Sequence, residues 1–116
     1  MRACATTARI YSENGYSVYL DAVIGPWRLS LFREIIPAFD YVLLHAPLST
    51  IVERVRSRKG HVMRTPGVAA RLHRRFAGVI DEHERHVVRT DNASLEEICS
   101  EIRSRGQKRA LAIGNA

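Results

Sequence analysis

The stretch "DYVLLHAPLSTIVERVRSRKG", residues 40–60, decides the fold. Its first seven residues, Asp40 to Ala46, are an almost unbroken apolar run. Such runs are the strands that parallel sheets bury on both faces. Pro47 follows, and the period then changes from strand to helix. Ile51, Val52 and Val55 recur on one side over 49–59, Thr50 and Glu53 have capping-box spacing, and Gly60 is the stop. A buried strand that feeds a helix is half of a βαβ unit, which needs a parallel strand downstream.

That strand is "HVVRT", residues 86–90. Between the two lies a second helix, opened by the Thr65-Pro66 pair as N-cap and first helical position. It carries Val68, Leu72, Phe76, Val79 and Ile80 on one stripe. Beyond the strand, Ser94 and Glu97 make another capping box, and Leu95, Ile98 and Ile102 give the last helix its apolar face up to Gly106. On the N-terminal side, residues 3–14 read as a helix closed by Gly15. "YSVYL", 16–20, reads as a strand, and 27–36 as a helix ended by Pro37. The alternation predicts an α/β fold with a parallel sheet over residues 1–106 and a flexible tail over 107–116.

At 116 residues, the chain has the length of one domain. It contains no apolar run of the ~20 residues that a membrane span requires, and its first residues have no signal-peptide core. Cys4 and Cys99 have no metal or redox spacing and read as reduced thiols of a cytoplasmic protein. The net charge of +6 is uneven: residues 54–89 hold nine arginines and Lys59 against Asp81, Glu82 and Glu84. Two readings stand. One is a solvated helix face; the other is a phosphate site, because guanidinium forks match phosphate oxygens. A nucleic-acid patch is disfavoured, since Phe76 is the segment's one aromatic residue and base stacking needs more.

Parallel sheets present ligand sites beyond the C-terminal ends of their strands. Asp21 stands at the end of 16–20, His45 near the end of 40–46, and Asp91 just past 86–90. Asp21 is therefore a candidate functional carboxylate, or else a residue that opens a turn. The "HERH" run, 83–86, lacks the ligand number and spacing of a zinc site and reads as a polar helix end. No metal ligands are assigned.

The ordered set "ENGYSVYLDAVIGPW…DYVLLHAPLSTIVERVRSR", followed by "RKGHVM" at 58–63 and "LHRRF" at 72–76, resembles the small P-loop kinases. That group includes the gluconate and shikimate kinases, the chloramphenicol phosphotransferases and AAA family ATPases of similar size. The resemblance covers roughly residues 5–105. It implies a three-layer α/β/α parallel sheet of P-loop kinase type, incomplete at the N-terminus, with a lid at about 56–66. It also implies site roles: Asp21 orients the acceptor hydroxyl or a magnesium-bound water. Trp27 lines the acceptor pocket. Arg54, Arg56, Arg58 and Arg64 close on the nucleotide phosphates from the lid. For Arg54 and Arg56, pairing with Glu53 or plain solvation is an equal reading.

The departure from the family is the G-x-x-x-x-G-K-[ST] loop, which this sequence lacks. The chain is thus expected to be part of an ATP- and Mg-dependent small-molecule kinase, inactive alone, and to begin after the phosphate loop. In that sheet order the absent first strand is the central one. Residues 16–20 and 40–45 then pair directly, accept a partner's strand, or leave a marginal fold, and open strand edges favour self-association. The alternative is a non-catalytic module that binds an anionic partner, nucleotide or nucleic acid, through its arginine segment.

Overall fold

The computed structural model describes residues 1–59 and 66–114 and divides the chain into two compact units. It mixes helices with four short strands, and none of its described helices is long and apolar enough to cross a membrane.

The first unit comprises residues 1–41 and the C-terminal segment from Leu111. Helix α1, Arg2–Glu13, ends where the glycine signal placed it. Gly15 adopts φ +88°, and the N–H groups of Gly15 and Tyr16 donate back to Ser12 and Tyr11, both at 3.1 Å. This is a Schellman closure, and its apolar contact is the edge-on packing of Tyr16 on Tyr11, with centroids 5.5 Å apart. A 3₁₀ turn at Pro26–Arg28 leads into α2, Leu29–Ile35, whose Leu29 and Phe32 are buried. Strand β1, Ala38–Asp40, follows. It pairs antiparallel with the chain's last strand, β4, Ala112–Gly114, in the register Phe39 opposite Ile113. The core of the unit is small: Ala5, Leu29, Phe32, Tyr41 and Leu111.

Two expectations are corrected in this unit. Residues 16–20 form no strand, and all five are exposed. A strand exists only as part of a ladder, and among the described residues no neighbour pairs with this stretch. Its β-branched and aromatic side chains favour extended backbone but cannot supply the missing hydrogen bonds. The tail expected to fray from 107 instead contains β4, because Ala112 and Ile113 find a partner edge in β1.

The second unit, Val42–Ala110, holds the βαβ element. Strand β2, Leu43–His45, lies parallel to β3, Val87–Arg89, in the register Leu43–Val87, Leu44–Val88 and His45–Arg89. Helices α3, Leu48–Ser57, and α4, Pro66–Ala77, make the crossover and pack on each other. Val87 and Val88 are fully buried, with Leu43, Ala46, Val55 and Ala69 around them. Helix α3 starts at Leu48 directly after Pro47, so Thr50 sits inside the first turn and its expected capping box with Glu53 does not form. The second box does form. Ser94 Oγ accepts from the Glu97 N–H at 3.1 Å, and Glu97 Oε2 accepts from the Ser94 N–H at 3.2 Å, at the start of α5, Leu95–Gln107. Arg105 then ties α5 to the sheet by donating to the Val87 carbonyl at 2.6 Å.

Candidate functional site

The candidate residues fall into two groups, each within one unit. In the first unit, the turn after residue 20 carries Asp21 on its exposed side. The rest of the turn is held firmly. Tyr41 is buried, and its hydroxyl donates to the Ile24 carbonyl at 2.6 Å. Burial pushes the Tyr41 phenol up to about 12. Gly25 and Pro26 are buried beneath the half-buried indole of Trp27. A Cβ at Gly25 would overlap that ring, so glycine is required there by close approach rather than by φ. Asp21 thus projects from an anchored turn, with the indole six residues on. A shallow apolar groove of about 350 Å³ lies between α1 and the 18–20 stretch, lined by Cys4, Thr7, Tyr11, Val18 and Leu20. Neither Asp21 nor Trp27 lines it.

The second group stands at the C-terminal edge of the β2–β3 pair. The crossover brings α3 over that edge, and Arg54 reaches down to Thr90, the residue after β3. Its guanidinium donates to Thr90 Oγ1 at 2.9 Å and to the Thr90 carbonyl at 3.0 Å. Thr90 is held in turn by its own N–H, which donates to the His45 carbonyl at 2.8 Å. Among the described residues Arg54 has no carboxylate within ion-pair distance, so the pairing with Glu53 is not made. Arg56 and Arg58 are exposed, and Arg64 and most of the expected lid lie outside the described residues.

Sequence reasoning placed His45 at this edge but missed its companion. His73 of α4 stacks on His45, with centroids 5.1 Å apart and planes 24° from parallel. His73 Nε2 lies 2.9 Å from the Ala46 carbonyl, which can only accept, so this nitrogen carries the hydrogen. Burial is the main cause that lowers the His45 pKa, and the neighbouring His73 and Arg89 lower it further; Asp91 and Glu84 oppose them. Arg89 itself pairs with Glu84 at 3.3 Å, exposed to water. The signal for His73 was its offset of four from Ala69, which is buried in the same helix face.

No protein-family model and no curated protein matches this sequence. The functional reading therefore rests on the residues themselves. At the β2–β3 edge, Arg54 supplies a fixed cation whose donors are only partly used, on the side of a parallel pair where ligands bind. In the "HERH" run, His86 is buried and accepts from Arg85 Nε at 2.9 Å, an internal contact rather than an open ligand position. Among the described residues, no three His, Cys, Asp or Glu side chains stand close enough to hold a metal ion.

Proposed function

We propose that this chain contributes the acceptor and lid portion of an ATP-dependent small-molecule kinase. In this reading it binds phosphate groups but does not transfer them alone. The observation that carries the reading is the Arg54 fork on Thr90, at the C-terminal edge of a parallel βαβ pair. A guanidinium held there by its scaffold, with no carboxylate partner among the described residues, favours an arriving anion over a solvated arginine's idle role. The βαβ unit is also what a three-layer P-loop kinase sheet would be built from.

The residues present fit the phosphates of ATP better than they fit its metal. Arg54 and Arg89 are cations at one sheet edge. Asp21 is a single exposed carboxylate, so magnesium would arrive with the nucleotide. Asp21 would hold an acceptor hydroxyl, with Trp27 as the apolar wall beside it. Without G-x-x-x-x-G-K-[ST], backbone amides do not cradle the β- and γ-phosphates, and phosphoryl transfer lacks its main electrostatic support.

The test is calorimetric titration of the chain with ATP, beside a phosphate-release assay. Weak ATP binding, reduced about tenfold by Arg54→Ala, with no turnover, is the expected result. Robust turnover by the chain overturns the claim of inactivity, and ATP affinity indifferent to Arg54→Ala overturns the site. Nucleic-acid binding that falls steeply with salt, and is lost on charge reversal of Arg71, Arg74 and Arg75, would favour the non-catalytic anion-binding module instead.

A further inference from the structure

We propose that the stacked His45–His73 pair, with Arg54 and Arg89 beside it, forms a proton-dependent site for a dianionic phosphoryl group. The proposal takes its ligand class from the phosphate reading above, but its geometry is separate. Four charged or titratable groups from different elements act on His45. His73 faces it from α4, Arg89 from β3, Asp91 from the turn after β3, and Glu84 from the 3₁₀ segment before β3. Arg54 of α3 reaches the same edge through Thr90, which is hydrogen-bonded to His45.

The charge balance of this group decides its chemistry. With both imidazoles neutral, Arg54 and Arg89 offset Asp91 and Glu84, and the edge holds no excess charge. Protonation of the pair makes it cationic. Two imidazolium rings 5.1 Å apart repel each other, and they do so beside two guanidinium groups. His45 therefore resists its proton while the edge is empty, because burial comes first and the neighbouring His73 and Arg89 add to it. A dianion seated there removes the penalty, and protons and anion enter together.

The proton sites follow from the hydrogen bonding. Since His73 Nε2 is committed as donor to the Ala46 carbonyl, its second proton goes to Nδ1. His45 is half-buried. Protonation thus adds donors at the edge that phosphoryl oxygens can accept from. The sign is fixed by linkage: a ligand that prefers the protonated pair raises its pKa and binds more tightly as pH falls below the usual histidine range.

Sulfate is the probe, because it stays a dianion across the histidine range, whereas phosphate itself titrates there. Its dissociation constant would be measured by calorimetry at pH 5.5 and pH 8.0, at equal ionic strength in chloride, with the His45 and His73 ring resonances followed by NMR. The expected result is binding about tenfold tighter at the lower pH, and upward movement of the His45 titration by about one pH unit with sulfate, as reciprocity demands. His45→Phe keeps a ring to stack on His73 and removes the titrating nitrogens, so it should flatten the pH profile. His73→Gln retains a donor for Ala46 and should do the same. If either variant fails to fold, the wild-type profile and resonances still decide.

Equal sulfate affinity at both pH values, or no binding at either, overturns the proposal. So does a pH profile unchanged in His45→Phe. Binding that is pH-independent and weakened by Arg54→Ala overturns the histidine site while it supports the phosphate reading. Sulfate binding that follows the histidines in a chain that does not bind ATP supports the site and removes the kinase reading.

Discussion

Replacement of Tyr41 by phenylalanine tests how the Asp21 turn is held. The hydroxyl of Tyr41 donates to the Ile24 carbonyl at 2.6 Å, while the Tyr41 N–H donates to Leu111 at 3.0 Å and extends the β1–β4 pairing. The variant removes the first bond and leaves the second. A neutral hydrogen bond contributes about 1 kcal/mol net, and a carbonyl left without a partner adds to the loss, so the variant should be less stable by about 1–1.5 kcal/mol. Ile24 is half-buried and water can partly replace the donor, which keeps the figure at that level. Urea unfolding followed by Trp27 fluorescence reads this directly, since Trp27 is the chain's single tryptophan and belongs to the same unit. With a slope on the order of 1 kcal/mol per molar urea, the midpoint falls by about 1 M at pH 7.

The same substitution carries a pH signature. Burial raises the Tyr41 phenol from 10.0 to about 12, so the folded protein holds this proton more tightly than the unfolded chain does. That contribution is complete below pH 10 and is lost as pH rises from about 10 toward 12, by at most roughly 2.7 kcal/mol. Phenylalanine has no proton to lose. The gap between wild type and variant should therefore narrow above pH 10 and close or reverse near pH 11. Equal midpoints at pH 7, or a gap that stays constant from pH 8 to pH 11, would refute the reasoning.

Gly25→Ala should cost about 1–3 kcal/mol and shift Trp27 emission, because the added methyl group overlaps the indole; unchanged emission and midpoint would show that the ring is not held on Gly25. Tyr19, 94% exposed in a stretch without strand partners, should be neutral for folding when changed to lysine, within about 0.5 kcal/mol. If this exposed apolar stretch drives self-association, sedimentation velocity should show concentration-dependent growth for the wild type and none for Tyr19→Lys. A wild-type chain that stays monomeric at every concentration removes that idea.

Local signals were legible in the sequence and non-local ones were not. The Gly15 stop and the Ser94–Glu97 box depend on residues within one turn of each other, and both formed as read. The strands at 43–45 and 87–89 were legible because both lie in apolar runs, although Leu44 of the first is exposed and only the second is buried at two successive residues. Residues 16–20 carry an equally good strand pattern, but a strand also needs a neighbour, and composition does not record whether one is there. The same gap hid β4, a short run that becomes a strand only because β1 offers an edge. Thr50 and Glu53 have the right spacing, yet a helix that starts directly after Pro47 moves the cap upstream of them. His73 reads as one polar residue among the arginines of α4. Its meeting with His45 depends on how α4 packs, 28 residues further along the chain.

The arginine excess is the feature that the structure divides most usefully. As a count, it suggested one phosphate-binding surface over residues 54–89. As geometry, it separates into arginines with different tasks. Arg85 donates to the buried His86, and Arg89 pairs with Glu84, so both have work inside the fold. Arg56, Arg71 and Arg74 lie exposed on helices and Arg58 lies exposed just past the end of α3, where solvation suffices to explain them. Arg54 differs from all of these. Its donors are directed onto Thr90 at a strand end, and among the described residues no carboxylate lies within ion-pair distance of it. A guanidinium that is oriented without a carboxylate contact is what an anion site requires, and it shares its strand edge with the stacked His45–His73 pair. The case for phosphate chemistry in this chain therefore rests on Arg54 with Arg89 and the histidines at the same edge, and the exposed arginines of the helices add to the field but not to the recognition.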